Sequence, residues 1–183
     1  MIVIRPAEVA DLPAILAIYN DAILHTTAVY QYQPHTLAMR RQWYDDKLAA
    51  GFPVLAAIVN ENDGRVTLVG FGAYGEFRHA AAYQYTVEHS VYVDGAWRRH
   101  GIGRLLLQAL IDHAQANGKH VMVAGVDAEN AASLRFHQAL GFAEVAHLRQ
   151  VGYKFDRWLD LILLQRDLSP GAVPGGAPAH LPG

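Results

Sequence analysis

The segment "YTVEHSVYVDGAWRRHGIGRLLLQALIDHAQANG", residues 85–118, constrains the fold most. Its first part alternates with a period of two. A strand there puts Thr86, Glu88, Ser90 and Tyr92 on one face and Val87, His89, Val91 and Val93 on the other. Apolar residues then recur at helical spacing over 101–117 and stop at Gly118, a residue suited to a helix C-terminus. A strand feeding a helix through the tight turn "RRHGIG" is a unit of α/β architecture, and the flanking segments decide which kind.

Upstream, "MIVIRPA" reads as a strand that stops at Pro6, and Asp11 caps a helix to about Leu24 whose apolar face is Leu12, Ile15, Leu16, Tyr19 and Ile23. A second helix covers 37–50 and ends at Gly51. "PVLAAIV" and "VTLVGFGAYG", joined by the turn "NENDG", read as neighbouring antiparallel strands. Downstream come the strand "HVMVAGV", a helix over 130–140 ending in "GF", and two strands around "FAEVAHLRQVG" and "WLDLILLQRDL". Helices alternate with strands only in the second half. The expected fold is therefore α/β with a mixed, mostly antiparallel central sheet flanked by helices, not a doubly wound parallel sheet. One domain is expected over residues 1–168, and the Pro/Gly/Ala-rich 169–183 reads as a disordered tail.

Composition removes several function classes. A formal net charge of −2 provides no global basic field for nucleic acid, so an anion site must be local. Without cysteine there is no disulfide, thiolate zinc site or thiol nucleophile. The ten His residues are scattered and form no HExxH, so no catalytic metal is expected. The start lacks a signal-peptide pattern and no apolar run approaches the roughly 18 residues of a membrane span, so a soluble cytoplasmic protein is expected.

The turn itself has three readings. At a helix start the first backbone N–H groups lack intrahelical partners and the helix dipole favours an anion. Gly101 and Gly103 let that backbone come close to a bulky group, and Arg98, Arg99 and Arg104 add charge. One reading is a plain structural loop. A second is a dinucleotide fingerprint, with Asp127 as the ribose-binding acid, although its third glycine position is Leu106. The third is a cradle for the pyrophosphate of coenzyme A.

Arg98-Arg99-His100-Gly101-Ile102-Gly103 fits the (Arg/Gln)-x-x-Gly-x-(Gly/Ala) signature, and "ENAASLRFHQALGF" supplies a helix beginning at Asn130 and the "GF" that follows it. In both, the chain resembles the GCN5-related N-acetyltransferases over most of residues 1–168. "IYNDAILHTTAVY", "YTVEHSVYV", "LRFHQALGF" and "VGYKFDRWLDLILLQRDL" narrow the resemblance to the phosphinothricin and methionine sulfoximine acetyltransferases. That resemblance implies acetyl transfer from acetyl-CoA to the α-amino group of a small amino-acid analogue, a detoxifying role and a homodimer. It also places the backbone of Val91, Tyr92 and Val93 on the pantetheine arm and thioester carbonyl, and the pyrophosphate on residues 98–104, Ile102 included.

Such a reaction needs a group to take a proton from the acceptor ammonium. Glu88, an acid in an apolar strand, is the candidate base and matches the subgroup's; the plainer alternative is an exposed carboxylate. His89 shares its face with three valines and reads as a packed side chain. Asn130, Ser133 or Leu134, and His137 follow one another along one helix face. Many relatives carry Tyr where His137 stands, so His137 is either the acid for the leaving thiolate or only a CoA contact. For an acceptor carboxylate, Arg78 suits bidentate recognition, with Tyr83, Tyr85 and Thr86 close behind it and Thr27 and Tyr30 forming another wall by resemblance. Lys154, Trp158 and Asp160 match the subgroup's late signature, Trp158 as a core or dimer contact. The competing classes are a transferase for a different amine, a non-catalytic CoA- or nucleotide-binding sensor, and a dinucleotide-dependent dehydrogenase.

Overall fold

A computed structural model of the chain describes residues 1–60 and 64–169. The middle of the turn read at 60–64, and the tail from residue 170 on, lie outside the described residues. In chain order the elements are β1 (Ile2–Pro6), α1 (Leu12–His25), α2 (Leu37–Ala49), β2 (Val54–Asn60), β3 (Val66–Glu76), β4 (Thr86–Val93), α3 (Ile102–Ala116), β5 (Val121–Asp127), α4 (Ala131–Gln138), β6 (Ala143–Lys154) and β7 (Arg157–Asp167). The strands form a 7-stranded sheet in the order β1-β2-β3-β4-β5-β7-β6. Only β4 and β5 run parallel; every other neighbouring pair is antiparallel.

Both faces of the sheet are covered, which is why β2 reads as a continuous apolar run. On one face Leu106, Leu107, Leu110, Ile111 and Ala114 of α3 pack against Leu55 and Ala57 of β2, Val87 of β4 and Met122 and Ala124 of β5. On the other, Leu12, Ile15, Ile18 and Tyr44 of α1 and α2 meet Val54, Ala56, Ile58, Phe71 and Ala73. Burying each aliphatic side chain of α3 contributes about 1.5–3 kcal/mol. The sheet thereby holds β4 rigidly at its centre, with α3 behind it and α1 in front.

Three local readings are corrected. Asp11 occupies the N-cap position of α1, but its side chain makes no cap bond; its carboxylate instead takes Arg5 at 2.7 and 2.9 Å and the Glu8 N–H at 2.7 Å. That pair ties β1 to the turn before α1. The buried face of α1 is Leu12, Ile15, Ile18, Ala22 and Ile23, with Leu16 only half-buried. β6 runs on to Lys154, because Phe155 and Asp156 both adopt left-handed backbone (φ 52° and 57°) and close a two-residue hairpin without the glycine that marks such turns in sequence.

Candidate active site

The site begins where the sheet stops being continuous. β5 pairs with β4 at Thr86, Val87 and Glu88 only, so from His89 onward the strands part and the β5-facing backbone groups of β4 have no strand partner. The other edge of β4 is occupied, Val91 lying opposite Gly72 of β3. The gap opens into a cleft of about 540 Å³ whose wall includes Val91, Tyr92 and Val93 of β4, Ile18 and Ala22 of α1, and Ser133, Phe136 and His137 of α4. An extended thin ligand lying there can complete the interrupted sheet edge.

At its far end the cleft reaches the start of α3, where Arg98, Arg99, Gly101, Ile102, Gly103 and Arg104 line it. Arg99 and Gly101 have φ of 66° and 78°, a reversal that aims the first turn of α3 into the cleft. Gly101 stands at the N-cap with no side-chain bond, and the first intrahelical bond runs from Leu105 N–H to Gly101 O at 3.1 Å. The amides before it keep their hydrogens for a ligand, and the exposed arginines surround them. A side chain built at residue 103 would stand 3.6 Å from Phe136, occupying the approach to those amides. His100 donates from Nδ1 to Arg98 O at 2.9 Å. These residues fit a pyrophosphate.

Glu88 sits at the fork itself, on the face opposite α3. Its Oε1 lies 3.4 Å from where a Cβ would stand at Gly125 of β5, and Gly75 lies opposite it in β3. The two glycines let other side chains close around the carboxyl: Lys47 Nζ takes the place over Gly75, and Leu161 Cδ1 stands 3.5 Å from the Cβ position of Gly125. Glu88 is exposed, as the plainer reading of the strand had it, yet partial desolvation of its carboxyl between the strands raises its pKa above the usual carboxylate value, while Lys47 and Arg78 draw it back down. From the same fork a second depression follows Ser90, Gly125, Asp127, Asn130 and His137.

On the other face of β4, His89 is buried with neither ring nitrogen bonded by the protein, its ring 5.2 Å from that of His137. Burial, then the neighbouring His137, lowers its pKa to about 3, so it is neutral. His137 is also buried; its Nδ1 donates to Ser133 O at 2.8 Å and its Nε2 has no protein partner. Burial lowers the His137 pKa, the Ser133 bond opposing it. Asn130 caps α4 by accepting from Ser133 N–H at 3.0 Å, which fixes the helix that carries His137.

The residues expected to bind the acceptor separate into two groups. Arg78, Tyr83 and Thr86 line a depression of about 70 Å³ at the start of β4, together with Glu76 and Lys119, and Tyr85 gives its carbonyl to His120 N–H. Thr27 lines a cleft of about 410 Å³ at the other end of β4 and β5, with Asp127, Asn130, Phe155 and Arg157. Tyr30 donates to Asp127 Oδ2 at 3.2 Å, and its phenol is pushed up to about 12 by burial and by Asp127. Asp127 also accepts from Glu129 N–H at 2.9 Å, so the carboxylate that a dinucleotide reading gives to ribose is committed within the protein.

Lys154 is 4% exposed and its three N–H donors meet the carbonyls of Ile23, Thr26 and Val29 at 2.6, 2.8 and 2.7 Å. It pins the C-terminus of α1 and the loop that carries Thr27 and Tyr30. Trp158 is 61% exposed, which removes it from the core of this chain. Lys47, Gly75 and Gly125 were not singled out by sequence; glycines inside strands are the available signal, since they mark a close approach by another group. Among the described residues no three His, Cys, Asp or Glu side chains are grouped to hold a metal, and no helix is long and apolar enough to cross a membrane.

Residues 15–142 match the acetyltransferase (GNAT) family. Over 167 residues the chain is 48% identical to the L-methionine sulfoximine/L-methionine sulfone acetyltransferase of Pseudomonas aeruginosa, with 91% of this chain and 95% of that protein covered. It is 46% identical over 171 residues to an L-amino acid N-acyltransferase of Escherichia coli, covering 93% and 96%. The crystal structure of a phosphinothricin acetyltransferase from Sinorhizobium meliloti in complex with acetyl-CoA superposes with a TM-score of 0.86 at 30% identity, covering 94% of this chain and 96% of that one.

Proposed function

The chain belongs to the acetyltransferase (GNAT) family and is an acetyl-CoA-dependent N-acetyltransferase, and we propose that its acceptor is the α-amino group of a small amino-acid analogue such as methionine sulfoximine, methionine sulfone or phosphinothricin. The role is detoxification, and the working form is a cytoplasmic homodimer. One observation carries the reading: the strand edge of β4 that lacks a partner runs from the Glu88 carboxyl at the fork of the sheet along a cleft that ends at the free amides of the start of α3.

Acetyl-CoA supplies the acetyl group as a thioester. The residues of this chain do the rest. The first-turn amides of α3, with Arg98, Arg99 and Arg104, hold the pyrophosphate, helped by His100, Ile102 and Gly103 through their backbone. Val91 N–H polarises the thioester carbonyl, and the groups of Tyr92 and Val93 follow the pantetheine arm. Glu88, directly or through water, accepts the proton of the acceptor ammonium. The nitrogen lone pair then forms the new N–C bond as the C–S bond breaks and the sulfur leaves as thiolate; the second proton that the nitrogen loses on becoming an amide neutralises that thiolate, directly or through water.

His137 is assigned as a wall of the cofactor cleft rather than the acid. With Nδ1–H on Ser133, the neutral ring has a lone pair at Nε2 and accepts there; donation needs the imidazolium, which burial disfavours. Arg78 binds the acceptor carboxylate beside Tyr83, Tyr85 and Thr86, while Thr27 and Tyr30 bound the acceptor side at the other end of β4 and β5. Dimerisation is supported by β6, an edge strand that leaves Val145, Leu148, Val151 and Tyr153 exposed beside Phe155 and Trp158.

Thiol release from acetyl-CoA tests the reading, with methionine sulfoximine, methionine sulfone, phosphinothricin, the ordinary amino acids and polyamines as acceptors. Turnover of the first three above the rest is expected. Activity confined to another amine replaces the acceptor, and thiol release from none of them turns the protein into a CoA-binding sensor.

A further inference from the structure

The base has a neighbour that its own strand does not reveal. Lys47, in the last turn of α2, crosses over β3 and donates from Nζ to Tyr74 O at 3.0 Å. Its ammonium fills the place of the side chain that residue 75 lacks: a Cβ built on Gly75 would stand 2.0 Å from Lys47 Nζ. Gly75 is the register partner of Glu88. Facing residues of an antiparallel pair project to the same side with Cβ atoms about 4.5–5.5 Å apart, so the ammonium stands beside the Glu88 side chain. Neither Lys47 nor Glu88 has an ion-pair partner within contact distance among the described residues. Two N–H donors of Lys47 remain beyond the one spent on Tyr74.

We propose that Lys47 is a positioning residue for acetyl transfer: seated over Gly75, its ammonium faces Glu88 across the strand pair and holds that side chain in the ionised, proton-accepting form. The inference rests on the reading of Glu88 as base. Gly75 is then required by the site, since any side chain at that position displaces the ammonium. The other charged or titratable groups around Glu88 are Arg78 in the loop after β3, Glu76 on β3 beside Lys47, and the Tyr92 phenol on its own strand. On that side β5 presents Val123 and Gly125 beside Glu88 and, further along the same face, the Asp127 carboxylate, which is bonded to Tyr30 and the Glu129 N–H. Burial lowers the Lys47 pKa, and Glu76 and Glu88 pull it up, the reciprocal of the effect on Glu88.

The sign follows. Removing a cation beside a carboxyl group raises the pH at which it ionises, so the loss of activity belongs at low pH. Profiles of kcat/KM against pH, with the acceptor that the panel identifies and L-methionine sulfone as the expected one, should be compared for wild type, Lys47→Met, Gly75→Ala and Glu88→Gln. Lys47→Met should lose about tenfold near pH 6 and stay within about threefold of wild type near pH 9. Gly75→Ala keeps the charge and meets only the flexible end of Lys47, so the protein folds; it should shift the acid limb in the same direction by a smaller factor. An equal loss at every pH in Lys47→Met, or an unmoved limb in both variants, overturns the role of Lys47 while leaving the base in place if Glu88→Gln still abolishes the limb. A limb that persists in Glu88→Gln overturns the base reading itself.

Discussion

Glu88 and His137 were both readable in the sequence as candidate proton carriers, and their surroundings separate them. Glu88 stands exposed at the fork beside Gly125, whereas His137 is buried with its Nδ1–H spent on a carbonyl. A general base contributes about 10²–10⁴-fold, and a wall of a binding cleft far less. Glu88→Gln should therefore lower kcat at least about 100-fold, while His137→Asn, which keeps a donor for Ser133 O, should lower it less than about tenfold and mainly raise the KM for acetyl-CoA. Steady-state kinetics of the two variants decide it; an equal collapse of kcat in both would return the acid role to His137. Sequence could nominate these residues because a Glu in a strand and a His four residues before a Gly are local patterns. It could not supply Lys47, whose meaning arises only when α2 is laid across β3 at Gly75.

Among the elements, those with strong local signals came out nearly as read: the alternation of β4, the apolar stripe of α3 and the turn between them. The misreadings lie where a long-range partner decides. Asp11 forgoes its helix cap because Arg5 is within reach, and β6 outruns its expected end because the hairpin at Phe155 and Asp156 has no glycine to announce it. Lys154 is the same kind of case on the functional side. It closes β6, and from there its ammonium reaches back to the last turn of α1 and the loop that carries Thr27 and Tyr30, a contact spanning more than a hundred residues of chain. Three carbonyls around one ammonium match its three donors. Lys154→Met leaves those acceptors without a partner at a cost of about 3 kcal/mol, which for a chain of this size is roughly a 10 °C fall in melting temperature. Because the freed loop walls the acceptor side, the KM for the acceptor should rise several-fold more than the dissociation constant for acetyl-CoA. Calorimetry and kinetics on one preparation test both; a drop in melting temperature with unchanged KM would make Lys154 purely structural.

For the molecule as a whole, the sheet has one buried centre and one unguarded edge. β6 exposes nearly its full length, and the apolar residues along it and the hairpin would pair with another strand or sheet more readily than with water. The same hairpin contributes Phe155 and Arg157 to the cleft that holds Thr27 and Asp127. A second copy seated on this edge would thus both cover the apolar strip and wall the acceptor side, linking assembly to substrate binding. Light scattering should give twice the 20.1 kDa chain mass for wild type. A charge in the strip, as in Val151→Glu with Trp158→Glu, should give the single-chain mass, because an unpaired carboxylate cannot be buried in an apolar contact without a cost of several kcal/mol. The separated chains should retain acetyl-CoA binding, whose cleft lies between α1, β4 and α4 within one chain, and should lose affinity for the acceptor. If wild type has the single-chain mass at working concentrations, or if the charged variant stays paired, the edge is not the interface and the acceptor side is complete in one copy.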